Sequence, residues 1–329
     1  MTSTGIEVSL GLWQDRPPIE VIRTARLADE LGYRAVWIGE MATWDAFALG
    51  THVGRDFATA RLVLGPFAVS VRDPTMIAMG AASVAALTGR EVGVALGTSS
   101  PMVVEHWHGR DRAGSSVALA ESAQVVRTLL NGGRGQLDGA VIRTSGYRLR
   151  LAPTRSELVI AAFGDAAITA AARHADRMVL NLLDTPSVAA LTGKLGAAAL
   201  EAGRERPRVA VWACAAVDPG PAALEQLRRG LVGYLAAPGY RDMFRRAGFP
   251  DLVDFALTRP HPRDLLAAVP IELIETVGIV GDESTVAARI AEYAAAGADD
   301  VVIVPSATDE DPAAENTLRV IARLAERAI

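Results

Sequence analysis

Residues 62–101, LVLGPFAVSVRDPTMIAMGAASVAALTGREVGVALGTSSP, carry the reading on which the fold rests. The apolar run Leu62–Val69 is rich in branched side chains and too short for a helix, which predicts a strand buried on both faces. The loop Ser70-Val71-Arg72-Asp73-Pro74 follows. Asp73 is placed to cap the next helix and Pro74 suits its first turn, after which Ile77, Ala81, Val84 and Leu87 recur at helical spacing until Gly89. A second buried run, Val92–Leu96, ends in Gly97-Thr98-Ser99-Ser100-Pro101, a small-residue loop whose amides and hydroxyls suit an anion. The unit is therefore strand, helix, parallel strand, with two polar loops at the same strand ends, where parallel α/β folds bind ligands.

The same alternation continues in both directions. Upstream, a strand Glu7–Leu12 precedes a helix opened by Pro17-Pro18, lined by Ile22, Ala25, Leu27 and Leu31 and closed by Gly32. A strand Ala35–Ile38 then delivers Gly39-Glu40-Met41, and Asp45 is placed to cap a short helical piece over residues 44–49. Downstream come a polar excursion, Met102–Ser115, a helix Ser116–Leu130, and weak alternation over Gln136–Arg150 that predicts a hairpin. Strands are expected at Leu158–Ala162, Arg177–Leu180, Val209–Val217 and Val301–Val304, with helices at Ala166–His174, Pro186–Ala202 and Pro312–Ala328. The mostly helical stretch Pro221–Ala296 is too long for one barrel helix and predicts an insertion. Eight strands alternating with helices, without linker composition or repeats, predict a single α/β domain over residues 1–329. Its expected form is a (β/α)8 TIM barrel with insertions after strands four and seven, at about 102–115, 134–157 and 236–280.

Of the 329 residues, 50% are hydrophobic, ample for a large core, and the formal net charge of −5 argues against a nucleic-acid partner. Lys194 is the only lysine and reads as a surface residue near the end of a helix. The single Cys214, inside the apolar run Val209–Val217, reads as a buried inert thiol. The start lacks a basic segment followed by an apolar one, and no run approaches the roughly 20 apolar residues of a membrane span. The expectation is a cytoplasmic protein with no membrane association.

In such a barrel the residues after each strand face a common basin. Here they are Trp13, Glu40, Trp44, Ser70, Val71, Thr98, Ser99, Phe163, Gly164, Asp165, Asn181, Leu182 and Ser306. No lysine or histidine stands directly on a strand end, which removes support from Schiff-base and histidine-based chemistries. His106 and His108 lack Asp, Glu or Cys neighbours at ligand spacing, and no metal site is expected. Glu40, following a VWI strand in a partly apolar basin, reads either as a carboxyl of raised proton affinity or as half of an ordinary ion pair with a neighbouring Arg. Trp44 suits stacking on a planar ligand or a place in the core. Thr98 and Ser99 suit phosphate, as does Gly164, while Asp165 beside it reads as a helix cap.

Several segments in order resemble the bacterial luciferase-like flavin and deazaflavin oxidoreductases, and among them the coenzyme F420-dependent, methylenetetrahydromethanopterin reductase-like branch. They are ARLADELGYRAVWIGE (25–40), Trp44-Asp45-Ala46-Phe47, ARLVLGPFAVSVRDPTMIA (60–78), REVGVALGTSS (90–100), VIAAFGDAAITAAARHADRMVLN (159–181) and AAGADDVVIVP (295–305). The resemblance implies a luciferase-type barrel that binds a flavin-like tricycle at its strand ends. It implies a non-prolyl cis peptide at Ser70-Val71 behind the ring, phosphate contacts from Thr98, Ser99, Phe163 and Gly164, with Asp165 beside them, and Asn181 near the ring. Glu40 then matches an acidic position near the deazaflavin and Trp44 an aromatic one close to the reacting carbon, and the two are the implied catalytic pair.

Departures from the pattern also carry information. Met41 stands where the related sugar-phosphate dehydrogenases carry a base, and Asp184 where a phosphate-binding lysine would fall, so glucose 6-phosphate is not expected as substrate. The implied activity is hydride transfer between F420 and a small organic substrate, with Glu40 hydrogen-bonding or exchanging a proton near the ring and His106 or His108 as lid donors. The alternatives are an FMN-dependent monooxygenase fed by a separate reductase and a non-catalytic flavin-binding homologue. A homodimer is also expected.

Overall fold

The computed structural model describes residues 4–11 and 13–327. The first half runs β1 (Gly5–Ser9), α1 (Glu20–Glu30), β2 (Ala35–Ile38), α2 (Ala46–Gly54), β3 (Arg61–Ala68), α3 (Pro74–Thr88), β4 (Val92–Gly97), a wide helical turn (Met102–Trp107) and α4 (Ser115–Leu130). The hairpin β5 (Gly135–Asp138) and β6 (Arg143–Tyr147) follows. Then come β7 (Leu158–Ala161), α5 (Asp165–His174), β8 (Arg177–Asn181), α6 (Thr185–Glu201) and β9 (Arg208–Val217). Five helices, α7 (Pro221–Val232), α8 (Tyr240–Arg246), α9 (Pro250–Leu257), α10 (Pro262–Ala268) and α11 (Ile271–Val277), precede β10 (Ile279–Gly281), α12 (Glu283–Ala295), β11 (Asp300–Pro305) and α13 (Glu315–Arg327). Leu12 and Ala328, expected at the ends of the first strand and last helix, lie outside the described residues.

The decisive unit folds as its sequence dictates. Asp73 Oδ1 accepts from the amides of Thr75 (2.7 Å) and Met76 (3.4 Å), Pro74 occupies the first turn of α3, and Gly89 closes the helix in the left-handed region (φ 69°). β4 pairs with β3 in parallel from Leu62 opposite Val92. Eight such strands close a ring in the order β1-β2-β3-β4-β7-β8-β9-β11, with β11 returning to β1, so the fold is a (β/α)8 barrel. Strand β10, missed when residues 221–296 were read as helical, pairs with Ala215–Val217 of β9 outside the ring. The hairpin forms a separate two-stranded sheet. Among the described residues no helix is long and apolar enough to cross a membrane.

Two apolar layers and one charged layer fill the structure. The larger apolar layer lies between strands and helices. The smaller one fills the middle of the barrel with Ala35, Trp37, Val63, Ala95, Val159, Val179, Ala210 and Val302. Below it, at the amino ends of the strands, Arg177 is fully buried and bonds Glu7 (3.0 Å), Asp300 (3.0 Å) and Glu157 (2.7 Å) beneath Trp37. That layer separates the apolar middle of the barrel from an open, charged depression of about 430 Å³ at the amino ends of the strands, lined by Arg61, Glu157 and Arg208 among others.

Candidate active site

The upper barrel is open because its inward side chains are small or widely spaced. Along β9 the partly exposed positions are Trp212 and Cys214, on β11 Val304, on β8 Asn181, on β7 Ala161 and on β3 Pro66 and Ala68, in strands whose only other accessible residues are Arg208 and Arg61 at their amino ends. The partly exposed positions recur at the two-residue period of a strand and lie toward the carboxyl ends, so solvent enters the barrel from that side. Gly97 keeps the wall low. A Cβ there would stand 3.3 Å from Pro66 Cβ and 3.4 Å from Ala161 Cβ, narrowing the mouth.

Beside Pro66 the third strand bulges. Its register with β4 slips between Leu64 and Phe67, and Gly65 has φ 104° with its Cβ position only 2.3 Å from the Ala95 carbonyl oxygen, a conformation only glycine fits. The expected cis peptide at Ser70-Val71 is not found: Gly65-Pro66 is the only cis bond among the described residues. The reason is local. Val71 and Arg72 both donate their amides to the Ala68 carbonyl (2.8 and 2.9 Å), which winds residues 68–72 into a turn leading to the Asp73 cap. The irregularity behind the mouth therefore lies five residues earlier than the resemblance implied.

Glu40 stands at the end of β2 and meets Arg72 from the end of β3. Arg72 Nε donates to Glu40 Oε2 (2.8 Å), and Arg72 Nη2 donates to both Glu40 Oε1 and Asp45 Oδ2. Asp45 caps α2 with its other oxygen, accepting from Phe47 and Ala48 at 2.9 Å each. Burial pushes the Asp45 carboxyl up, but the Ala48 amide and the Arg72 guanidinium outweigh it and leave it below the usual carboxylate range. Arg72 rests over the stacked rings of Phe47 and Phe67, 5.2 and 5.6 Å from their centroids. The ion-pair alternative named for Glu40 from sequence is thus the arrangement present.

Trp44 and Trp13 border a narrow cleft of about 20 Å³ on the rim, with Gly11, Thr43, Pro305 and Ala307. Trp44 donates its indole N–H to the Pro18 carbonyl (2.9 Å) and Trp13 to that of Pro305 (3.1 Å). Thr43 Oγ1 is buried there without a partner, in space for about one water molecule. Ser306, grouped with the basin from sequence, turns away from it: its hydroxyl donates to Gln226 (2.8 Å) and fastens α7 to β11. Leu182 is likewise buried, 5% exposed.

Across the mouth, Thr98 is half-buried and Ser99 exposed, and Arg112 reaches back to the Ser99 carbonyl (2.8 Å). Gly164, not Asp165, is the N-cap of α5, and no side chain caps its amides. Asp165 points outward to Lys194 (2.7 Å), which stands exposed in the middle of α6 rather than near its end. Phe163 stacks on Tyr240 at 4.8 Å, and Asn181 Nδ2 donates to Tyr240 Oη (3.4 Å). Tyr240 and Tyr234 come from the insertion after β9 and wall this side of the mouth, with burial pushing both phenols above their ordinary range. His106 and His108 are exposed on the loop after β4. No group of three or more metal-ligating side chains occurs among the described residues.

Sequence reasoning missed Arg72, Tyr234 and Tyr240. Arg72 stood in the quoted turn with two acidic residues upstream, a usable signal; the tyrosines stood in an insertion whose placement no local pattern reveals.

Residues 2–300 match the family model for luciferase-like monooxygenases. A putative coenzyme F420-dependent oxidoreductase of Mycobacterium tuberculosis is 26% identical over 332 residues, covering 92% of this chain and 95% of the relative. The structure of the coenzyme F420-dependent tetrahydromethanopterin reductase from Methanopyrus kandleri superposes with a TM-score of 0.82 at 18% identity, over 97% of this chain and 98% of that one. An F420-dependent secondary alcohol dehydrogenase, solved with an F420-acetone adduct, gives 0.80 at 18% identity, over 98% and 99%.

Proposed function

Since the chain belongs to the luciferase-like monooxygenase family, we propose that it is an F420-dependent oxidoreductase acting on a small organic molecule in the mouth of its barrel. The observation that carries the reading is that mouth, where the small residues Ala68 and Ala161 are partly exposed on either side of Gly97 at the carboxyl ends of β3, β7 and β4. A deazaflavin, when bound, supplies reversible hydride transfer to or from carbon. The chain supplies binding and orientation.

Thr98, Ser99 and the uncapped amides of α5 at Gly164 are assigned to the anionic tail, with Arg112 contributing positive charge. Ser70 and Val71 back the ring from the turn after β3, while Phe163 and Asn181 edge the opposite side and Asp165 turns away to Lys194. Glu40 and Trp44 stand on the substrate side of the rim, Glu40 as a hydrogen-bonding carboxylate and Trp44 as an apolar wall. Met41 is half exposed beside them and offers no proton acceptor, so the substrate's own proton must leave by another route. A homodimer in the cytoplasm is the setting we propose.

Spectrophotometric titration with F420 and, in parallel, with FMN tests the reading. Saturable binding of F420 in preference to FMN supports it. Preference for FMN transfers the chain to oxygen-using relatives, and binding of neither overturns the assignment.

A further inference from the structure

We propose that Arg72 is a positioning residue that locks the Glu40 carboxylate as a fixed hydrogen-bond acceptor on the rim, so that Glu40 acts by orienting the bound ring or substrate and not by exchanging a proton. The inference rests on the cofactor reading above and narrows it, choosing between the two roles open to Glu40.

A carboxylate has about four lone-pair sites. Glu40 Oε1 accepts from Arg72 Nη2 and from the Ala46 amide (3.4 Å), and Oε2 accepts from Arg72 Nε (2.8 Å). One position, on Oε2, stays open on a side chain that is 21% exposed. Two parallel N–H bonds to one guanidinium fix the carboxylate plane, because the fork admits only one relative orientation. A group held in this way presents a directed acceptor, with both oxygens already engaged as acceptors by the same cation.

The guanidinium is itself held from every side the contacts describe. Phe47 and Phe67 stack and carry it at 5.2 and 5.6 Å, and Asp45 accepts the second hydrogen of Nη2 while capping α2. The ends of β2 and β3 and the start of α2 are thereby tied through one cation, which is 26% exposed, as Glu40 is 21%. With two carboxylates against one guanidinium, the cluster keeps a net negative charge. It therefore favours a ligand that brings an N–H or O–H donor over one that brings a phosphate or carboxylate to this part of the rim.

The test is a double-mutant cycle read by F420 affinity. Wild type, Arg72→Ala, Glu40→Gln and the double variant are titrated with F420, with thermal melts run alongside. Each single change is expected to raise Kd on the order of ten- to a hundredfold, the worth of one hydrogen bond to a charged group. The double variant should be no weaker than the worse single one, since on this proposal the contribution of Arg72 to F420 affinity passes through Glu40. Added guanidinium below denaturing concentration should restore affinity to Arg72→Ala but not to the double variant. Arg72→Lys, which keeps the charge and loses the fork, should fall between wild type and Arg72→Ala, and it serves if Arg72→Ala does not fold.

Additive losses, or an Arg72→Ala or Arg72→Lys protein with wild-type Kd, overturn the positioning role while leaving the cofactor assignment intact. Wild-type protein that binds FMN and not F420 overturns the F420 assignment, and the same cycle run with FMN then decides the role of Arg72. Binding of neither overturns both.

Discussion

Replacing Arg177 by Met tests the charged floor of the barrel. Arg177 is fully buried and pairs with Glu7, Asp300 and Glu157, the first two having side chains only 3% and 0% exposed. Met keeps the bulk beneath Trp37 and removes the charge. Breaking a buried pair from one side costs about 3–5 kcal/mol, since the abandoned carboxylates stay in a medium that solvates them poorly. Arg61 still reaches Glu7 (3.0 Å) and Arg208 still reaches Asp300 (2.7 Å), so the lower figure, about 3 kcal/mol, applies. That is a large part of the roughly 5–15 kcal/mol by which proteins are stable, and for a chain of 329 residues it corresponds to a fall in Tm of roughly 4 °C.

The pH dependence has a definite sign. In the native protein, burial pushes Glu7 up, but Arg177 and Arg61 bring it below its ordinary value of 4.5, so its contribution is present above that pH and fades as acid protonates it. Burial, and then repulsion from Glu7, hold Asp300 above 3.8, so its contribution runs the other way and fades as pH rises through its folded-state value. Without Arg177 both carboxyls bind protons more readily in the folded state, and protonation relieves the damage. The deficit of Arg177→Met, measured by urea unfolding followed by far-UV circular dichroism, should therefore shrink from pH 7 to pH 4–5 (on the order of a pH unit above the ordinary carboxylate values). A deficit under about 0.5 kcal/mol at pH 7, no more than an ordinary surface substitution gives, would refute the reasoning. So would one that does not shrink in acid.

Three further outcomes are expected. Gly97→Val should crowd Pro66 and Ala161 and weaken F420 binding by at least about tenfold, with a fall in Tm because Gly97 is buried in β4; unchanged affinity in the titration would remove the mouth from the binding site. Cys214 is partly exposed but desolvation pushes its thiol up to about 12, so iodoacetamide at pH 8 should leave it unmodified in native protein and modify it in urea, as read by mass spectrometry. Asp73→Ala removes the cap of α3 and should cost about 1 kcal/mol in urea unfolding, with F420 affinity retained.

What was legible in the sequence was whatever short-range physics controls. Asp73, Pro74 and Gly89 bound α3 by bonds that reach two or three residues, and Asp45 caps α2 in the same way, so reading the chain locally located both helices. Buried parallel strands announced themselves as apolar runs because both faces are covered. The eight-strand count followed from these, and the ring order followed from the count. Three-residue β10 was lost for the converse reason: its pairing with Ala215–Val217 is set by β9, sixty residues away, and nothing within Ile279–Gly281 compels it.

The site divides along the same line. A strand-end position fixes height in the barrel but not direction, which is why Ser306 was grouped with the mouth although Gln226 turns it away. Direction comes from partners distant in sequence. Arg72 meets Glu40 across 32 residues and Tyr240 meets Asn181 across 59, and in each case the second residue decides what the first can do. Even the floor gave one local sign. In β1 the inward positions Glu7 and Ser9 are polar inside an otherwise apolar strand, and an isolated acid there demands a buried cation somewhere in the ring. Arg177, opening β8, is that cation, 170 residues away. The same argument ranks the rim: an acid such as Glu40 that already has its cation is a device for holding geometry, and a proton carrier for the reaction has to be sought among groups without one.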